Sequence, residues 1–74
     1  MSKPLSGKQV IRILGREFGF YFISQKGSHV KLRRKVLSKE ITTIVPLHKE
    51  LALGTLKGVL DLAQVDEKDF WQKV

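Results

Sequence analysis

The chain reads as a small α+β domain with the element order α-β-β-β-α. Three observations carry this reading. A helical apolar stripe with capping residues at both ends opens the sequence. Three short segments rich in β-branched or aromatic residues follow in series, joined by short links. A second helical stripe comes after them. Strands joined this way form a three-stranded antiparallel meander, whose apolar face two amphipathic helices can cover from one side.

Ser6 to Phe18 is the first helix. Ser6 is a good N-cap, and Gln9 three residues on completes a capping box. Val10, Ile11, Leu14 and Phe18 recur at helical spacing, while Lys8, Arg12 and Arg16 fall four apart on a solvated face. Gly15 inside the helix suggests close packing against a neighbour, and Gly19 suits the left-handed position that ends a helix. Phe20 to Gln25 favours a strand, and Lys26-Gly27 supplies a turn. From Ser28 to Arg33 the residues alternate, Val30 and Leu32 to one side, His29, Lys31 and Arg33 to the other. Arg34 to Lys39 reads as a basic connection. Glu40 to Val45 is a third strand ended by Pro46.

Leu47 to Leu53 reads as a loop. Gly54-Thr55 then opens the second helix with Thr55 as N-cap, and Leu56, Val59, Leu60 and Ala63 share its apolar face. Asp66 with Asp69 starts a short terminal helix carrying Phe70 and Trp71. This is the arrangement of the double-stranded-RNA-binding fold. Architecture alone does not give function.

The 74 residues make one domain, expected to span 1–74 with a core near 6–65 and a C-terminal extension over 66–74. There is no cysteine, so disulfides and thiolate metal sites are excluded. Two histidines alone do not make a zinc site. Neither a metal nor a small-molecule cofactor is expected. No apolar run approaches the roughly 20 residues of a membrane span. The N-terminal Met-Ser-Lys-Pro-Leu-Ser lacks the apolar core of a signal peptide. A cytoplasmic protein is the expectation.

Residues 1–60 hold 12 Lys/Arg against Glu17, Glu40 and Glu50, a net +9, while residues 61–74 carry −2. An excess this large on so small a body points to a polyanionic partner such as RNA. The basic residues do not line one side of an apolar helix, which argues against a membrane surface.

Lys26-Gly27-Ser28-His29 concentrates the chemistry. A histidine moves protons near neutral pH, and glycine lets backbone approach a ligand closely. The strand alternation sets His29 beside Lys31 and Arg33, away from the expected core. A surface histidine commonly has no chemical role. Here, its cationic setting suits cleavage of RNA by its own 2′-hydroxyl: a base removes the proton, the oxygen attacks the phosphate, and a cation stabilises the developing charge. His48, after Pro46, is more simply a loop-capping or helix-start residue, with a second proton-transfer group or a phosphate contact as its functional reading. Ser28 and His29, as adjacent strand residues, are expected on opposite faces, which disfavours a Ser-His pair. Gly54-Thr55 could meet a phosphate through free amides, although a plain helix cap is simpler. Of Phe18, Phe20, Tyr21 and Phe22, Tyr21 is the one expected at the surface for stacking on bases. Arg33-Arg34-Lys35 reads as a solvated turn that can also touch phosphates.

The chain resembles the HicA family of toxins, the mRNA-interferase half of HicAB toxin–antitoxin pairs. The resemblance runs from about Ser6 to about Val65. It rests on the leading helix, the Phe20-to-Gln25 strand, Lys26-Gly27-Ser28-His29, Val45-Pro46-x-His48, Glu50-Leu51 and Gly54-Thr55-Leu56. It implies the double-stranded-RNA-binding-like fold and a ribosome-independent endoribonuclease whose catalytic histidine is His29. His48 matches the family's Pro-x-His position. From their position alone, and not from the resemblance, Lys26, Lys31 and Arg33 are expected to hold the phosphate backbone, and with Gly27 and Ser28 they make up the expected RNA-binding residues. The expected partners are mRNA and a HicB-type antitoxin that covers the active region. Three departures stand out: Val30 replaces a common second histidine, Ala63-Gln64 replaces Ala-Gly, and the tail through Trp71 exceeds the minimal family core. The rival readings are a non-catalytic RNA-binding module of the same fold and a protein-interaction adaptor.

Overall fold

A computed structural model describes residues 4–74; Met1-Ser2-Lys3, the start of the stretch that was read for a signal peptide, lies outside the described residues. The elements are α1 (Gly7–Phe18), β1 (Tyr21–Lys26), β2 (His29–Val36), β3 (Lys39–Pro46), α2 (Leu53–Ala63) and α3 (Glu67–Gln72). The strands form one antiparallel sheet in the order β1-β2-β3, with the helices over one face. This is the α-β-β-β-α architecture that the sequence predicts, closed by the short terminal helix.

The caps of α1 form as expected. Ser6 Oγ accepts from the Gln9 amide at 3.1 Å, and Gln9 Oε1 accepts from the Ser6 amide at 2.8 Å. Gly19 takes φ 76°, and the Phe20 amide donates back to the Leu14 carbonyl at 3.1 Å. The buried stripe is centred on Val10, Ile13 and Leu14, with Ile11 only partly covered. The tight contact of α1 lies at Gly7, not at Gly15. A Cβ on Gly7 would fall 2.0 Å from the Pro46 carbonyl oxygen, whereas one on Gly15 would meet only the Phe20 carbonyl at 3.4 Å. The Gly7 amide also donates to the His48 carbonyl at 2.9 Å. The start of α1 is thus seated directly on the end of β3.

The strand boundaries differ from the sequence reading at both ends of each strand: Lys26 and Pro46 lie in β1 and β3, and Ser28 lies in the turn before β2. Phe20 precedes β1 and is buried. Arg34 to Val36 belong to β2 and Lys39 to β3, so the basic connection shrinks to a two-residue turn, Leu37-Ser38. Leu37 sits there at φ 59° and is 98% exposed. A leucine in this left-handed conformation is strained, and no Gly, Asn or Asp stands at that position to announce it. Pairing of β2 with β3, from Arg34 with Ile41 to Val36 with Lys39, overrides that local preference. Arg34 is not part of a solvated turn either. Its Nη1 donates to the Phe18 carbonyl at 3.1 Å, and its guanidinium lies 5.3 Å from the centre of the Phe20 ring. The cation therefore meets the carbonyl end of α1, where the helix dipole favours it.

The core lies between the helices and the inner face of the sheet. Val30 and Leu32 of β2 and Ile41, Thr43 and Val45 of β3 are buried there with Val10, Leu14, Val59 and Leu60. Each fully buried aliphatic side chain contributes about 1.5–3 kcal/mol. Thr43 Oγ1 donates to the Val59 carbonyl at 2.7 Å, tying α2 to the sheet without leaving a buried hydroxyl unpaired.

Helix α2 starts three residues earlier than expected, at Leu53. Its N-cap is Ala52, which makes no side-chain cap bond, and Thr55 lies within the first turn. Burial of Leu51, whose amide bonds the Leu5 carbonyl at 2.8 Å, sets where the chain turns into helix. Gln64 ends α2 at φ 56°, a position that glycine fills more comfortably. Asp66 caps α3 by accepting from the Lys68 amide at 2.8 Å. Phe70 is fully buried, its ring stacked on Phe18 at 6.5 Å and edge-on to Trp71 at 5.7 Å.

Candidate functional site

The face of the sheet away from the helices is polar and cationic. The strand register sets its composition. Lys26 pairs with His29, Ser24 with Lys31 and Tyr21 with Arg33, while His29, Lys31, Arg33 and Lys35 pair with Pro46, Ile44, Thr42 and Glu40. Cross-strand partners share a face, so these residues form one surface.

A bulge in β1 makes this possible. The register shifts between Phe22 and Ser24, leaving Ile23 as the extra residue. A bulge inverts the side-chain alternation beyond it. Without it, Ser24 and Lys26 would turn toward the helices. With it, Lys26 joins His29 on the open face. Sequence alternation alone misses this, because the bulge exists only relative to the paired strand.

His29 is held by the turn that precedes it. Gly27 takes φ 58° at the first central position of the Gly27-Ser28 turn, which matches the two-residue hairpin preference for glycine there. Gln25 Nε2 donates to the Gly27 carbonyl at 2.9 Å, and the Leu47 amide donates to the Ser28 carbonyl at 2.7 Å. The turn is thereby tied to both β1 and the segment after β3. His29 itself is exposed.

A concavity of about 680 Å³ lies beside it. Lys26, Gly27, Ser28, His29 and Lys31 line it together with Ser24 and Ile44. Four of the five residues expected to bind RNA therefore meet His29 at one depression. Arg33 does not line it: its Nε bonds Thr42 Oγ1 at 3.1 Å and approaches Glu40 at 3.8 Å. Glu40 also lies 3.9 Å from Lys35 Nζ. The cations at the Leu37 end of the sheet are thus partly neutralised. No carboxylate lines the depression at the His29 end, which leaves the positive potential there free to act on an anion.

Ser28 lies in the turn and not in the strand, so the opposite-face expectation does not apply; it lines the depression with His29, but no hydrogen bond joins the two among the described residues. His48 is exposed and does not line the depression, and its carbonyl serves the start of α1. Phe22 is 59% exposed and Tyr21 44%, so the surface aromatics number two, where only Tyr21 was expected. Phe18 and Phe20 pack with the core. Among the described residues no group of three or more His, Asp or Glu side chains could hold a metal ion. None of their helices is long and apolar enough to cross a membrane. Chemically, the site offers one accessible imidazole between two ammonium groups, suited to proton transfer beside a bound phosphate.

Gly7 and Ile44 were not singled out by sequence reasoning. Gly7 directly after an N-cap signals close approach only once its neighbour is known. Ile44 reads as an ordinary strand residue until the register shows which side it takes.

The fold and this face define a small double-stranded-RNA-binding-like domain with an open cationic sheet surface. The family model for the HicA toxin of bacterial toxin-antitoxin pairs matches residues 7–65. The chain belongs to the HicA toxin family. No curated protein matches it. The matched stretch contains the whole depression and stops before α3.

Proposed function

We propose that the chain is the toxin of a type II toxin–antitoxin pair, a ribosome-independent and metal-independent endoribonuclease that cleaves mRNA in the cytoplasm with His29 as general acid/base. The observation that supports this best is the setting of His29: exposed, at a glycine turn, in a depression flanked by Lys26 and Lys31 and free of carboxylates. Membership of the HicA toxin family supports the same reading.

In this mechanism the imidazole takes the proton of a ribose 2′-hydroxyl. The 2′-oxygen forms a bond to the adjacent phosphorus as the bond to the 5′-oxygen breaks. The products are a 2′,3′-cyclic phosphate and a 5′-hydroxyl. The 5′-oxygen leaves with a proton, which protonated His29 can return. Lys26 and Lys31 neutralise the charge that develops on the phosphoryl oxygens. Gly27 and Ser28 let the RNA backbone approach the turn, and Arg33 extends the contact along β2. The nucleophile belongs to the substrate, so the protein needs only to orient it and move protons. His48 is at most accessory, since it lies outside the depression.

The HicB-type antitoxin that neutralises such a toxin is expected to present carboxylates to this face, because like charges would repel. The test of the activity is incubation of purified protein with end-labelled RNA, with and without chelator. Cyclic-phosphate ends that form regardless of chelator are the expected result. Intact RNA bound with steep salt dependence would favour the non-catalytic RNA-binding module instead.

A further inference from the structure

We infer that Ile44 is the floor of a nucleobase subsite beside His29, and that the site therefore takes single-stranded RNA with a base turned out of its stack. This rests on the endoribonuclease reading and names the part of the substrate that the depression receives.

Ile44 is 41% exposed on the open face, directly across from Lys31. Its neighbours along that face of β3 are Thr42, partly buried, and Pro46, buried. Ile44 is thus an exposed apolar side chain set directly beside a cation, and it lines the same depression as His29, Lys26 and Lys31. No packing requirement explains it, since the core lies on the other side of the sheet. An apolar floor rimmed by a few polar groups is the anatomy of a ligand site, and about 680 Å³ falls within the usual range of about 300–1,000 Å³.

The ligand must combine a flat apolar face, a hydrogen-bonding edge and a negative charge. A nucleotide does. Its base can lie against Ile44, while its phosphate meets Lys26 and Lys31. The Ser24 hydroxyl lines the depression, has no intramolecular hydrogen bond among the described residues, and can meet the edge of the base. Bases read in this way are extruded and held against apolar or aromatic side chains. In an A-form duplex the bases stay stacked, and side chains cannot read the deep, narrow major groove. The subsite therefore selects unpaired RNA.

The test uses an oligodeoxynucleotide with a single ribonucleotide, so that only one phosphate can be cleaved. It is compared with versions lacking the base on either side of that phosphate, for wild type and Ile44→Ser. Loss of one of the two bases is expected to lower kcat/KM about 5–150-fold in wild type. Ile44→Ser should lower it similarly on the intact oligonucleotide, with no further loss on the abasic one. Undiminished cleavage of both abasic versions, or independent multiplication of the two effects, overturns the subsite. If no oligonucleotide is cut, the endoribonuclease reading fails. The subsite is then judged by binding alone: equal affinity for intact, abasic and duplex forms overturns it, and a preference for the intact single strand that Ile44→Ser removes upholds it. An Ile44→Ser variant with unaltered RNA affinity but weakened binding of a HicB-type antitoxin would assign the residue to the protein interface and overturn the subsite.

Discussion

The two sides of β2 differ in burial and charge, although they alternate residue by residue. On the inner side, Val30 and Leu32 are buried beneath the helices, and Arg34 braces the end of α1. On the outer side, His29 is exposed and Lys31 lines a depression without carboxylates. Stability is concentrated on one side and the proposed chemistry on the other. The lesson is that register, and not proximity in sequence, separates the two roles. Substitutions on the two sides should therefore have separable effects, except where an inner element directly supports the outer one.

The largest stability change is expected on the inner side. Phe70→Ala removes a fully buried ring stacked on Phe18 and should cost about 3–5 kcal/mol, measured by denaturant unfolding. That would make α3 part of the core although the family match ends at Val65. An unchanged midpoint would show the tail to be dispensable. Gly7→Ala comes next, at about 1–3 kcal/mol, because its Cβ would collide with the Pro46 carbonyl. It also tests the exception: Pro46 is the partner of His29, so cleavage should fall at temperatures where the variant is still folded.

Smaller effects sharpen the contrast. Gln64→Gly relieves a left-handed glutamine at the end of α2; about 1–2 kcal/mol of relieved strain against about 0.5–1 kcal/mol of glycine chain entropy should leave a net stabilisation of about 0.5–1 kcal/mol. The substitution should leave cleavage unchanged. Lys31→Ala on the outer side should shift stability by no more than about 0.5 kcal/mol. Its effect belongs to binding: the slope of log affinity against log salt for single-stranded RNA should fall by about 0.7. An unchanged slope would remove Lys31 from the phosphate contacts.

Much of this contrast was legible in the sequence. Ser6 with Gln9, Gly19 and Gly27 mark local geometries that a few neighbouring residues determine, and the structure has all three. The alternation from His29 to Arg33 likewise separates the two sides of β2 correctly. What was not legible depends on distant partners. The turn at Leu37-Ser38 goes against local preference, so Arg34 to Val36 read as a connection. The bulge at Ile23 is defined only by pairing with β2, and it decides where Lys26 points. Thr55 looked like the cap of α2, but burial of Leu51 sets the helix start at Leu53. The outward turn of Ile44 follows from its register with Lys31.

The central claim is that His29 performs the chemistry while contributing nothing to the fold. His29→Ala tests it most directly, by cleavage of labelled RNA and thermal unfolding of the same preparation. The expected result is a rate lower by about 10²–10⁴-fold with an unchanged unfolding midpoint. A variant that is equally stable and still cleaves RNA at the wild-type rate would contradict the account.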